Sequence, residues 1–544
     1  MSLFFSLFSH FRLNRFLLLL GSGTASVVFI ILKNIGALPL DSVTFFFFSF
    51  ILFLFSLYRP GWVFLLFIGV LPLESVNLAP AAFGGLMLRP YQWLTGVLLL
   101  AVGIRFISGR LPFRMFQPRF FDAFPLVMTL GAFLGLFWAP IPTLALKQAL
   151  VVMSFASVYF LGRIFLRTLY DVRQTIPFFL VSSSIVFGYA LWQNVRFLFG
   201  QVSFQVMAGR PNGTFEEADW LGMFTLLAFG VALALLARTL HFLRETTEKT
   251  KAVIQLTGTV FFLTLTFVVL IITVARSAWL GAVVLMLVFV SGLLFRRGIS
   301  SFRKSFRKMF SFFFLMTLSF LLASGAVWGF HLSPFQFLNR IQSTGSGWQK
   351  ITVSCFSADT ALPQKLSDMS ELALNGCRHI LLEEIGQEER AGRFVQEVYR
   401  PDPNVSIRQE IYGKVWSIGK KHPFAGIGFG SISSFLGTDE RGMGLNASNI
   451  FFEVWLGSGL MGLLALSIFL CLLVFRSWQW YREATEVLEY QFALFLLATL
   501  FGLTVFNLFN SGLLLGFFFA FLSFGALALE RKTGAQSRKE VFYE

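Results

Sequence analysis

The chain has 544 residues, of which 56% are hydrophobic and 13% charged, with a formal net charge of +16. Soluble domains carry about 25% charged residues, so this composition excludes an ordinary soluble protein and indicates a polytopic, all-α membrane protein. In a soluble chain the basic excess would suggest nucleic acid. Here it marks loops on one side of a bilayer, and no nucleic-acid partner is expected.

Taken in order, the apolar runs predict about fourteen spans. They lie near 16–32, 42–57, 61–76, 91–108, 121–138, 143–162, 175–195, 220–237, 254–273, 278–295, 310–330, 449–475, 490–507 and 511–529. The first run, Phe16 to Leu32, lacks a small-residue cleavage site and reads as a span rather than a signal peptide. Alternate loops are basic: Arg12 and Arg15, then Arg105 to Arg119, Arg163 to Arg173, Arg238 to Lys251, Arg296 to Lys308, Arg476 with Arg482, and Arg531 to Lys539. With both termini cytoplasmic, every one of these falls inside. The polar stretch 331–448 then faces outward, as does the loop 196–219.

This divides the chain into an N-terminal membrane bundle (1–330), an extracytoplasmic loop domain (331–448), and C-terminal membrane helices with a basic tail (449–544). Ile407 to Lys420 reads as an amphipathic helix in the loop domain. Cys355, Cys377 and Cys471 fit no zinc spacing, and no metal or other cofactor is expected. Cys355 and Cys377 face an oxidising compartment in this topology and are expected to pair, the alternative being two free thiols.

Three outward stretches hold polar residues where helices meet the interface. The first, Gly209 to Trp220, places Arg210 in a Gly/Pro/Asn turn and Glu216, Glu217 and Asp219 at the start of the eighth span. Acids at a helix start also suit capping and the helix dipole. The second is Ala275-Arg276-Ser277, an arginine between two apolar runs. The third runs from His422-Pro423 through Gly426, Gly428 and Gly430 to Asn449 and Glu453, which share a helix face. The glycines match no phosphate-binding spacing and read as tight turning. Arg408 lies upstream on the amphipathic helix. Guanidinium groups at this depth suit a lipid-linked diphosphate, whose oxygens accept two parallel hydrogen bonds.

The set Arg210…Gly213-Thr214-Phe215…Asp219, Ala275-Arg276-Ser277, Arg408…His422-Pro423…Gly426-Ile427-Gly428 and Ser448-Asn449…Glu453…Gly459-Leu460-Met461-Gly462 resembles the O-antigen ligase and polymerase superfamily over roughly residues 200–475. The resemblance implies a bacterial inner-membrane glycosyltransferase of the GT-C type. Its donor would be a glycan on undecaprenyl diphosphate, its acceptor a glycan or lipid A–core, and its active face the periplasm, with no nucleotide or metal. It also implies that Arg210 and Arg276 hold the diphosphate. Where the family usually has His-Asn, this chain has Ser448-Asn449, which favours polymerisation over ligation. With no histidine at position 448, Glu217 or Asp219 is the expected base. Arg408, Asn449 and Glu453 would shape and orient the substrates. A lipid-linked glycan flippase is the alternative. It calls for charges near the bilayer midplane, whereas here they lie at outer helix ends.

Overall fold

A computed structural model describes residues 13–110, 119–207, 209–295, 302–332, 347–357, 362–367, 370–380, 384–401, 403–438 and 444–530. Fourteen apolar helices stand where the hydropathy places spans: α1 (Leu13–Asn34), α2 (Ser42–Tyr58), α3 (Pro60–Val70), α4 (Pro90–Ile107), α5 (Ala123–Leu134), α6 (Pro142–Phe165), α7 (Leu169–Leu198), α8 (Ala218–Glu245), α9 (Lys249–Ile272), α10 (Arg276–Phe295) and α11 (Phe302–Gly329), then α16 (Ile450–Glu483), α17 (Val487–Asn507) and α18 (Gly516–Glu530). Eleven described segments are long and apolar enough to cross a membrane, and α2, α3 and α18 are shorter. The polytopic all-α class expected from composition is what the chain adopts.

Hydrogen bonds sort the helix ends into two faces. At one face Arg15 reaches Gln174, Arg105 reaches the Leu57 carbonyl, Arg163 reaches Asp122 and Glu530, and Tyr481 reaches the Gly292 carbonyl. All lie beside basic loops, so we term it the basic face. At the opposite, loop face Lys33 meets Ser75, Tyr189 meets Asn34, and Asn510 meets Ser277.

Two helices fall short of the loop face. At 1.5 Å per residue, α3 spans about 17 Å and α18 about 23 Å, less than the roughly 30 Å hydrocarbon core. The expected span 61–76 ends early because Pro72, directly after the C-cap Leu71, has no N–H with which to continue the helical hydrogen bonds. The expected span 511–529 begins late because Asn507 and Gly512 fold the chain into a turn. Irregular backbone at residues 71–79 and 508–515 fills the missing length. It is tolerated because protein, not lipid, surrounds it: Leu73, Val76, Leu78, Leu513 and Leu515 are buried.

The loop carries a small sheet that hydropathy does not announce. Strands β1 (Trp348–Cys355), β2 (Cys377–His379) and β3 (Phe394–Pro401) are antiparallel in the order β2-β1-β3. Cys355 lies opposite Cys377, and the two form a disulfide. Closing a loop of 22 residues restricts the unfolded chain and contributes about 3 kcal/mol. Ile351, Val353, Leu366, Leu372 and Val398 make its separate small core. Short helices α12 (Ser370–Leu374), α13 (Ile385–Arg390) and α15 (Ile432–Leu436) accompany the longer α14 (Pro403–Lys421), which covers the helix expected at 407–420.

The chain between α14 and α15 packs on a break in α16. Gly459 has φ 68° and ψ −171° inside that helix. Leu460 N–H donates to the Pro423 carbonyl and Ile427 N–H to the Leu456 carbonyl, each at 2.7 Å. A side chain on Gly459 would strike the backbone of Phe424, and one on Gly428 would meet Gly135. Gly426 and Gly428 also have positive φ, so this glycine run makes the tight turning that the sequence suggested and, beyond that, serves close backbone approach.

Candidate functional site

The site is assembled around the turn after α17. Asn507 Oδ1 accepts from Gly512 N–H at 2.9 Å, and its Nδ2 donates to the Leu503 carbonyl at 2.8 Å. This fold turns the Leu508 and Phe509 carbonyls toward the loop. Arg408 of α14 donates to the Phe509 carbonyl at 2.9 Å, and Asn449 donates to the Leu508 carbonyl at 3.1 Å. Asn510 Nδ2 donates to Ser277 Oγ at 2.6 Å, tying the same turn to the residue beside Arg276.

Arg210 is brought to that neighbourhood by the loop before α8. Asn212 Nδ2 holds the Phe215 carbonyl at 2.5 Å, Gly213 N–H donates to Gln193 at 2.7 Å, and Thr214 Oγ1 donates to the Pro72 carbonyl at 2.6 Å. The buried Arg210 then donates from Nε to the Thr273 carbonyl at 3.2 Å and pairs with Asp219 at 3.2 Å. Thr273 lies three residues before Arg276, the first residue of α10. Between them Val274 has φ 54°, a conformation that a β-branched residue adopts only under constraint. Ser448, at the entry to α16, has φ 51°. Two backbone outliers therefore flank the corner where the candidate residues gather.

The expected residues fall out as follows. Arg210 bonds to Asp219 and to the turn before Arg276, and Arg408 and Asn449 bond to the turn after α17, which Asn510 ties to Ser277 beside Arg276. Glu217 occupies the N-cap position of α8, but its side chain makes no capping bond. Asp219 is bound to Arg210, so neither acid serves as a cap. Asn449 does cap: its Oδ1 accepts from Phe451 N–H at 2.9 Å. The buried Glu453 accepts from Ala447 N–H at 2.7 Å and thereby fixes the Ala447-Ser448 corner. His422 lies in the chain leading from α14 into the glycine run, and its carbonyl accepts from Gly426 N–H.

Sequence reading missed a second group on the same face. Arg89, just before α4, pairs with Glu74 at 2.8 Å and with Glu216 at 3.1 Å. Glu74 is fully buried and also accepts from Tyr91 Oη and Gly516 N–H, each at 2.7 Å. It satisfies the starts of α4 and α18 where the short helices end. The signal was present: Glu74 is a lone acid in the long apolar run from Trp62 to Leu78. Among the described residues, no group of three or more His, Cys, Asp or Glu side chains is placed to hold a metal ion.

Chemically, this corner presents guanidinium groups held by backbone carbonyls, beside carboxylates at the start of α8. A carbonyl anchors a guanidinium without cancelling its charge, which suits an anionic ligand.

No curated protein and no solved structure matches the chain. Residues 260–467 match the family model described as O-antigen ligase. The matched stretch contains Arg276, Arg408, Asn449 and Glu453 and begins after Arg210. A polytopic helical bundle with these residues near one face fits glycan transfer of the ligase and polymerase type, and over residues 260–467 the chain is similar to the O-antigen ligase family.

Proposed function

We propose that this protein polymerises or transfers glycan from an undecaprenyl-diphosphate-linked donor on the extracytoplasmic side of the bacterial inner membrane, with polymerisation favoured over ligation. The topology follows from charge: with basic loops inside, the loop face and the stretch 331–448 lie outside. The observation that carries the reading is the bond from Arg210 Nε to the Thr273 carbonyl, which sets one guanidinium on the turn leading to another.

In this reading Arg210 and Arg276 bind the diphosphate. The bond from the sugar's anomeric carbon to the diphosphate oxygen breaks, and its electron pair leaves with the diphosphate, stabilised by the two cations. The acceptor hydroxyl oxygen forms the new bond to that carbon and gives up its proton. Asp219 is committed to Arg210 and orients it, and Glu217, two residues away, takes the proton. Arg408, Asn449 and Glu453 shape the acceptor side by holding α14, the turn after α17 and the start of α16 together. Ser448 lacks basicity at neutral pH and contributes at most a hydrogen bond.

The test is transfer by purified protein supplied with a lipid-linked donor. Arg210→Ala and Arg276→Ala should each reduce transfer by about 10²–10³-fold, as removal of one charge-stabilising donor does. Lys at either position should restore only part, since a point charge replaces a fork. Full activity in both Ala variants would overturn the diphosphate clamp.

A further inference from the structure

Between α3, α7, α8, α17 and α18 runs an apolar cavity of about 120 Å³. One end is closed by Ile68, Leu71 and Phe517, directly below the junction of Glu74 with Gly516. The other end lies toward the basic face and is lined by Arg238, Leu488 and Gln491. Along α8 the lining runs from Leu227 to Arg238, about 16 Å at helical rise, within the reach of one fatty acyl chain.

Three polar features stand at the basic-face end. Gln491 is only 3% exposed, yet neither its amide nitrogen nor its amide oxygen has a hydrogen-bond partner. Buried amides are almost always paired, so this one points to a missing partner. Arg238 makes no ion pair with any described residue, and its charged neighbour is Arg173, of like sign. Nearby acids are engaged elsewhere: Asp171 accepts from Thr168, and Glu245 pairs with His241. Glu489 lies two residues from Gln491 and so on a different side of α17.

An apolar shaft with Arg238 and a lone amide at its mouth and Arg173 beside Arg238, neither arginine ion-paired with any described residue, matches one kind of molecule in a membrane. We propose that this cavity binds one acyl chain of an anionic phospholipid from the basic-face leaflet, with the phosphate on Arg238 and Arg173 and an ester carbonyl on the Gln491 amide. The lipid supplies the acceptor that the amide N–H lacks and the negative charge that the two arginines lack. The first methylenes of its chain enter the shaft, whose volume holds a few of them. This site is separate from the loop-face arginines and stands whether or not these act on a diphosphate.

Native mass spectrometry of the detergent-purified full chain tests it, with phosphatidylglycerol, phosphatidylcholine and inorganic phosphate as probes. Phosphatidylglycerol should bind at one site at least about tenfold more tightly than phosphatidylcholine, and phosphate alone should not bind measurably. Arg173→Gln, at an exposed position, and Arg238→Gln should each weaken phosphatidylglycerol by about tenfold. Gln491→Leu should weaken both lipids. Equal binding of the two lipids, binding of phosphate without a chain, or unchanged affinity in both arginine variants would overturn the proposal.

Discussion

Two arginine clusters at opposite faces of the bundle use the same side chain in opposite ways. At the basic face Arg163 meets Asp122 through Nε at 3.0 Å and Glu530 at 2.7 Å, while Tyr159 Oη also donates to Asp122 at 2.7 Å. One cation faces two carboxylates, so its charge is consumed, and the cluster clamps α6 to the starts and ends of its neighbours. At the loop face Arg408 is held by the Phe509 carbonyl, and Arg210 by the Thr273 carbonyl with one carboxylate, Asp219. At Arg408 a neutral oxygen fixes the guanidinium without cancelling its charge, whereas at Arg210 one carboxylate offsets part of it and a neutral oxygen supplies the rest of the anchoring. The difference separates an arginine that builds the fold from one that, in the function proposed above, binds an anion.

Truncating one side of the comparison should affect folding, and truncating the other should affect chemistry. The largest effect is expected at Arg163→Ala, which leaves Asp122 buried without its cation. That change should destabilise by about 3–5 kcal/mol, seen as lost folded yield and a lowered melting temperature. A well-folded but inactive Arg163→Ala protein would break the comparison. Next come the loop-face acids. Glu217→Gln should slow transfer severely, and Asp219→Asn less so through a misplaced Arg210, with melting temperature unchanged in both. Two fully active carboxamide variants would shift the chemistry to the corner at residues 448–449.

Smaller effects sharpen the picture. Asn449→Ala removes both a cap and the tie to Leu508, and should lower stability by about 1 kcal/mol. Ser448→Ala should be mild in the transfer assay. The smallest effect concerns the loop sheet. Glu388 accepts from Ser354 at 2.6 Å and pairs with Arg378 at 2.6 Å. The Ser354 hydroxyl first, then Arg378, holds its carboxyl below the usual value. A carboxyl depressed in the folded state stabilises fully above its unfolded value of about 4.3 and loses that contribution as pH falls through the folded one. Proteolysis of the 348–401 unit should therefore quicken below about pH 4, and Glu388→Gln should flatten this dependence.

Much of this was legible in the sequence because hydropathy and charge act along the chain. Apolar runs fixed the helices, basic loops fixed the faces, and Arg210, Arg276 and Arg408 stood out as cations at helix ends. The rest depended on groups that carry no sequence signature. The Leu508 and Phe509 carbonyls organise the site, yet every residue has a carbonyl. Glu74 and Arg89 lie far apart from Glu216 in the chain and meet only because α3 and α18 are short. In the loop, Ile351, Val353 and Cys355 alternate as a strand should, but alternation alone does not reveal its partners.

The break at Gly459 has a mechanical consequence. Arg408 sits near the start of α14, and α14 runs into the segment whose backbone bonds directly to α16 on both sides of the break. Backbone pressed on backbone has no rotamers with which to absorb a displacement. Load applied to Arg408 is thus delivered to the first two turns of α16, which carry Asn449 and Glu453, while the remainder of that helix stays anchored beyond the glycine.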